Sequence, residues 1–270
     1  MDITNKIICG DSMTVLKEIP DESFHCVVTS PPYDGLRTYS GYLDFDFEKF
    51  KVIAGELYRV MVQGGIVCWN VGDATIDGSE TLTSFRQALW FKDVGFKMHD
   101  TMIYEKNGFA KPSSNRYHQL FEYIFVLCKG KLRTFNPIKD KKNSGSIVGS
   151  TNSMRQKDGT MKAVKKNRFA GEFGMRGNIW RGNTSSQEAV CTPNAHPATM
   201  PKWLARDLII SWSNAGDLIL DPFSGSGTTA CIAKELGRNY CGIELNPEYV
   251  AMSEARLLSS QYQEKMELEK

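Results

Sequence analysis

Ser30-Pro31-Pro32-Tyr33 is the stretch of this 270-residue chain whose residue types most narrowly define a chemistry. It follows a short apolar, partly β-branched run, Cys26-Val27-Val28, that a double proline ends abruptly. That pattern predicts a buried strand stopping at its carboxyl end. The residue before a proline is pushed out of the helical region, so Ser30 and Pro31 are both expected to be extended. The proline nitrogens donate nothing, the carbonyls turn outward, and Tyr33 adds a stacking face. The result is a rigid cup of acceptors beside an aromatic plate, suited to a flat molecule bearing an amino group. Four residues recur by chance, and a proline-ended strand leading into an ordinary loop is the competing reading.

A second stretch lies about 190 residues later, Asp221-Pro222-Phe223-Ser224-Gly225-Ser226-Gly227-Thr228-Thr229. Its glycines let backbone approach a ligand closely, and the helix expected to follow offers free N–H groups to a carboxylate. A phosphate-binding P-loop needs a lysine after the second glycine, where Thr228 stands, and the G-x-G-x-x-G spacing of dinucleotide sites is absent as well. The next strand-like run, Tyr240-Cys241-Gly242-Ile243-Glu244, ends in an acid about twenty residues on, placed to accept ribose hydroxyls.

Together the two stretches resemble the amino-methyltransferases of DNA, with Ser/Asp/Asn-Pro-Pro-Tyr at the catalytic loop and Asp-Pro-Phe-x-Gly-x-Gly-Thr at the cofactor loop. Catalytic before cofactor motif is the order of the permuted β class. The resemblance implies an α/β, Rossmann-like S-adenosylmethionine-dependent methyltransferase sheet, mostly parallel with helices on both faces, and a basic target-recognition insertion. It makes Ser30, Pro31, Pro32 and Tyr33 catalytic. It makes Asp11, Ser30, His196, Thr199, Pro201, Asp221, Phe223, Ser224, Gly225, Ser226, Gly227, Thr228 and Glu244 cofactor-binding, with no metal. Asp11 reads equally well as a helix cap beside Ser12, and His196 is read as structural rather than as a base. Asn115 and Arg116 are candidate DNA contacts, joined by Lys165, Lys166 and Arg168 of the insertion.

The implied reaction has a physical rationale. An exocyclic amino group is a poor nucleophile because its lone pair is delocalised into the ring. An acceptor on each amino hydrogen, Ser30 Oγ and the Pro31 carbonyl, favours a tetrahedral nitrogen and frees that pair. The methyl of S-adenosylmethionine is already activated, so transfer needs positioning more than acid–base power. A carbon-5 cytosine enzyme would need a cysteine after a proline, and there is none. In a duplex the amino group is hidden, so the base must be flipped out. Ser-Pro-Pro-Tyr accompanies N4-cytosine methylation in this family more often than N6-adenine, and a serine can donate to cytosine N3 as well as accept. Adenine N1 could use the same donor, so N6-adenine stands as the alternative, followed by RNA methylation and a non-catalytic DNA-binding role.

Composition agrees with such a protein. Hydrophobic residues make up 41% and charged residues 24%, ordinary for a globular chain, and neither a membrane span nor a signal peptide is read. Seven cysteines scattered singly in mostly apolar runs point to a reducing cytoplasm and away from zinc. The net charge is only +2, yet residues 139–181 carry eleven Lys/Arg against Asp140, Asp158 and Glu172, a local +8. A basic insertion on an acidic body points to a polyanion, here double-stranded DNA. The resemblance places the protein in a bacterial or phage-encoded, cytoplasmic restriction-modification setting; a homodimer and a separate cognate restriction endonuclease stay open.

The elements that must position these residues alternate along the chain. A strand over 3–9, a helix from Ser12 to Pro20 and the strand before Ser30 come first. A glycine- and tyrosine-rich loop follows Tyr33. Helical spacing over 47–62 ends at Gly64-Gly65, a stop signal before a strand at 66–71. A helix over 82–91 and strands over 96–104 and 120–128 follow. Residues 136–178 lose apolar periodicity. Ile179-Trp180-Arg181 resembles an apolar marker ahead of the family's cofactor region, and also reads as an anchor of the insertion. A helix after His196 with Trp203, Leu204, Leu208, Ile209 and Trp212 buried, a strand over 217–221, a helix over 228–236, the strand to Glu244 and a last helix from Asn246-Pro247 complete the pattern. Alternating strands and helices signal a parallel sheet. The expected division is 1–135 (catalytic part), 136–191 (target-recognition insertion) and 192–270 (cofactor part of the same domain).

Overall fold

The computed structural model describes residues 2–32, 45–108, 114–143, 153–163, 172–184 and 200–268, with side chains described through residue 259 except Met154. Strand β1 (Lys6–Cys9) is followed by helix α1 (Ser12–Glu18), which Asp11 caps by accepting from the Met13 N–H at 2.8 Å. β2 (Phe24–Thr29) leads to the prolines, and α2 (Phe47–Val60) begins at an Asp46 cap. α2 buries Phe50, Ile53, Ala54, Leu57 and Val60, the i, i+3, i+4 stripe that its sequence spacing predicts.

The chain then enters β3 (Met61–Val71) without a break. Gly64 and Gly65 are therefore not a helix stop followed by a loop, as their position suggested. They form an irregular stretch inside the strand, where β2 and β3 shift register. Gly64 is left-handed at φ +78°, and a Cβ there would sit 2.5 Å from the Lys131 carbonyl. The glycines answer a close approach of two backbones.

A small hairpin, β4 (Thr75–Ile76) and β5 (Ser79–Glu80), turns through Asp77-Gly78, both at positive φ. That dipeptide is the commonest two-residue hairpin signal. α3 (Thr83–Val94), β6 (Lys97–Lys106) and β7 (Phe121–Cys128) follow. Short strands β8 (Lys141–Lys142), β9 (Ser153–Arg155), β10 (Met161–Ala163) and β11 (Phe173–Gly174) precede β12 (Ile179–Gly182). The chain ends with α4 (Lys202–Trp212), β13 (Leu218–Asp221), α5 (Thr228–Glu235), β14 (Asn239–Glu244) and α6 (Pro247–Leu268).

Eight strands form one sheet in the order β1-β14-β13-β2-β3-β7-β6-β12. The five strands from β1 to β3 run parallel; β7 is antiparallel to both β3 and β6, and β12 runs parallel to β6. Helices α1, α2 and α3 pack side by side, as do α4, α5 and α6. The core includes an aromatic cluster: Phe50, Trp69 and Phe91 meet at centroid distances of 5.1–5.7 Å. Trp69 is fully buried with its indole N–H on Gln87 at 2.8 Å, the satisfied geometry a buried tryptophan requires. This is the mostly parallel α/β sheet with helices on both faces that the sequence predicted.

The chain divides into two compact units, 1–136 with 178–270, and 137–177. The second unit is narrower than the segment 136–191 expected as the insertion, since β12 is a strand of the large sheet with Trp180 buried. Within residues 137–177, β8 pairs with β11 and β9 with β10, Asp140 pairs with Arg176, and Arg155, Lys157 and Lys162 are exposed.

Candidate functional site

Parallel neighbours bring their carboxyl ends to one edge of a sheet, and a ligand crevice forms there. Here that edge carries, side by side, Asp11 after β1, Glu244 at the end of β14, the glycine loop after β13, and Ser30-Pro31-Pro32 after β2. The rungs Ile219 to Cys26 and Leu220 to Val27 set the catalytic loop directly beside the glycine loop. Two hydroxyls lock the pair: Thr29 Oγ1 donates to Asp221 Oδ1 at 2.6 Å, and Thr229 Oγ1 donates to the Val28 carbonyl at 3.1 Å. Pro31 is buried and Ser30 and Pro32 are half-buried.

Asp221 is buried, and its Oδ1 also accepts from the Phe223 N–H at 3.1 Å. Desolvation pushes its carboxyl from 3.8 up to about 6, although the hydrogen bonds from Thr29, Phe223 and Thr229 pull it down. The Phe223 ring meets Phe45 and Trp69 edge to face, anchoring the loop on the core. Gly225 and Gly227 are left-handed, at φ +49° and +75°. A Cβ on Gly227 would come within 2.8 Å of Ser253 Cβ, so the glycine lets the loop pass against α6. Ser224 Oγ is buried and, among the described residues, makes no hydrogen bond. Thr228 is buried in the first turn of α5, and Pro201 is buried at the start of α4.

Glu244 grips the loop rather than projecting freely. Its Oε2 accepts from the Gly225 N–H and its Oε1 from the Asn246 N–H, each at 2.8 Å. An ionised carboxylate has about four lone-pair sites, so these bonds leave it able to accept hydroxyls. Asp11 is a cap, as its position beside Ser12 allowed, and the same carboxylate stands next to Glu244 because Cys9 pairs with Glu244.

Four residues that hold this site had no part in the sequence reading. Besides Thr29, Ser12 Oγ donates to the Pro222 carbonyl, Ser253 Oγ donates to the Gly225 carbonyl at 2.8 Å, and Arg256 Nη1 donates to Ser226 Oγ at 2.9 Å. Their partners lie between 28 and 210 residues away, and a local pattern carries no signal for them. Asn115 and Arg116 are exposed; the Arg116 guanidinium donates to Thr75 Oγ1 and to the Gly78 carbonyl at 2.7 Å, bracing the β4–β5 hairpin. Tyr33, His196, Thr199, Lys165, Lys166 and Arg168 lie outside the described residues, as does the loop after Tyr33 through residue 44.

A glycine loop and a strand-ending acid beside an acceptor cup, at the carboxyl edge of a parallel sheet, define a nucleotide-cofactor group-transfer fold. The chain belongs to the DNA methylase family, whose model matches residues 24–255. It is 47% identical over 245 residues to the orphan methyltransferase M.BamHII of Bacillus amyloliquefaciens, covering 89% of this chain and 91% of that one. The fold is similar to that of the PvuII DNA methyltransferase (cytosine-N4-specific), at a TM-score of 0.67 and 21% identity over 93% of this chain and 85% of that one. It is also similar to a DNA modification methylase of Thermus thermophilus, TTHA0409, solved in complex with S-adenosyl-L-methionine, at a TM-score of 0.62 and 25% identity over 93% and 92% of the two chains.

Proposed function

We propose that this DNA methyltransferase acts on the exocyclic N4 of a cytosine flipped out of duplex DNA, with S-adenosylmethionine as methyl donor. The observation that carries the reading is the strand register that sets Ser30-Pro31 against the glycine loop, locked by Thr29 and Asp221. The residues present fit the cofactor: left-handed Gly225 and Gly227 keep backbone where side chains would crowd it, Ser224 has an unbonded buried hydroxyl, and Glu244 and Asp11 stand adjacent. The loop 222–227, Glu244 and Asp11 would hold it. When bound, it supplies a methyl group on a positive sulfur, ready for direct displacement.

The rest of the work falls to this chain. Ser30 Oγ and the Pro31 carbonyl accept the two amino hydrogens, draw the nitrogen out of conjugation with the ring and aim its lone pair at the glycine loop. The prolines hold these acceptors rigidly, so little reorganisation accompanies transfer. The surplus proton leaves the nitrogen after the methyl arrives, so no strong base is required. Ser30 also donates, toward cytosine N3; an adenine presents N1 to the same donor, and that is the second reading. The exposed basic residues of 137–177, with Lys165, Lys166 and Arg168, supply salt-dependent contacts to phosphates.

Ser30→Ala tests the assignment. The variant is expected to lose turnover by at least about 100-fold while binding S-adenosylhomocysteine and DNA as the unmodified chain does. Unchanged methylation by Ser30→Ala would remove Ser30 from the mechanism.

A further inference from the structure

One polar cluster at the same sheet edge lies outside the machinery just described. One residue beyond the rung that pairs Thr29 with Trp69, the chain reaches Ser30 after β2 and Asn70 on β3. Asn70 pairs with Ile124 on β7; Glu122, two residues before Ile124, shares its face. Tyr104 of β6 pairs with Glu122, and Lys106 lies two residues on, again on that face. The side chains join across three strands: Asn70 Nδ2 donates to Glu122 Oε2 at 2.7 Å, and Lys106 Nζ meets Glu122 Oε1 at 2.6 Å. The row therefore runs outward from the acceptor cup, on the side away from the glycine loop, over a lateral span of about 14 Å from β2 to β6.

Stability alone does not account for this row. Asn70 is buried, and the Glu122 and Lys106 side chains are 13% and 24% exposed. Drawing such a pair partly out of water offsets its attraction, and an apolar pair in its place is often as stable or more so. The same face continues inward with Ile124 and Val126, both buried and apolar. The pair is also held firmly: the Lys106 N–H donates to the Leu120 carbonyl at 2.6 Å, and Asn107 Nδ2 donates to Asn183 Oδ1 at 2.7 Å. Tyr104 and Trp203 meet edge to face on that side and both donate to the Asn183 carbonyl.

Resting on the proposed methyl transfer to a base amino group, we propose that this row is the floor of the target-base site and that Lys106 reads the base. A base whose amino group is held by Ser30 and Pro31 presents its ring acceptors beyond them: N3 and O2 for cytosine, N1 for adenine. An ammonium carries three donors, so Lys106 bonded to Glu122 still has donors for those acceptors. Glu122 is a positioning residue that fixes the ammonium and, through Asn70, ties it to the strand beside Ser30.

The test compares the unmodified chain with Lys106→Met, Lys106→Arg and Glu122→Gln on DNA from a host without methylation of its own. The readouts are kcat and KM for DNA, the dissociation constant for S-adenosylhomocysteine, and the melting temperature. For Lys106→Met, kcat is expected to fall about 10- to 100-fold, the loss of a charged hydrogen bond, with KM for DNA, S-adenosylhomocysteine binding and melting temperature little changed. Lys106→Arg is expected to recover most of kcat, and Glu122→Gln to fall between. Lys106→Met with kcat within about twofold of the unmodified chain, or a loss that tracks S-adenosylhomocysteine binding and melting temperature, overturns the proposal. Absence of methylation by the unmodified chain itself overturns the function beneath it as well.

Discussion

Asp221→Asn separates what a buried charge does to stability from what it does for binding. Burial raises the Asp221 carboxyl from 3.8 to about 6. A rise of one pH unit in a carboxyl's midpoint corresponds to about 1.4 kcal/mol, so the charged form disfavours the fold by about 3 kcal/mol relative to the neutral one. The folded chain keeps a proton that the unfolded chain releases, so stability falls as pH rises from about 4 to about 6 and levels off above that. Asparagine retains an Oδ1 acceptor for the Thr29 hydroxyl and the Phe223 N–H but carries no charge. Urea unfolding of both proteins at several pH values, followed by tryptophan fluorescence, isolates this group, since every other carboxylate is common to the two. The variant's stability relative to the unmodified chain is expected to rise by about 3 kcal/mol between about pH 4 and pH 7. At the upper pH, S-adenosylmethionine binding is expected to weaken about tenfold, because a negative group beside a cationic ligand is gone. A relative stability that does not change with pH would refute the reasoning.

Two further outcomes follow from the same geometry. Gly227→Ala places a Cβ at a left-handed position, costing about 1–2 kcal/mol, and within 2.8 Å of Ser253 Cβ; calorimetry is expected to show S-adenosylhomocysteine affinity lowered at least about tenfold, and wild-type affinity would contradict the loop's role. Burial pushes the Cys241 thiol up to about 12 and raises Cys68, Cys128 and Cys231 as well, whereas Cys9 is exposed. Iodoacetamide on the native chain is therefore expected to label Cys9 and leave those four unmodified until the protein unfolds, as read by peptide mass mapping.

What could be read in advance was local. Ser30-Pro31-Pro32 and the 221–229 loop announce themselves because prolines and glycines constrain the backbone at their own positions, and α2 because its apolar spacing is regular. The same local logic misplaced Gly64-Gly65: glycine after a helical stripe is ordinarily a cap, and only the nearness of the Lys131 carbonyl shows why it stands inside a strand. It also left Ile179-Trp180-Arg181 with the insertion, since three residues between Gly177 and Asn183 do not distinguish an edge strand from an anchor. Asp77-Gly78 was readable as a hairpin and passed unremarked. The bonds that hold the site together, Thr29 to Asp221, Ser12 to Pro222 and Arg256 to Ser226, join distant residues whose pairing exists only once the sheet is assembled.

The central claim, methyl transfer to a base amino group, is tested most directly by incubating the chain with methyl-labelled S-adenosylmethionine and mixed-sequence duplex DNA, then digesting and separating the nucleosides. Label in N4-methylcytosine is the expected result. Label in N6-methyladenine would keep the site and its mechanism and overturn the choice of base, and a chain that binds S-adenosylmethionine yet labels no nucleoside would contradict the account.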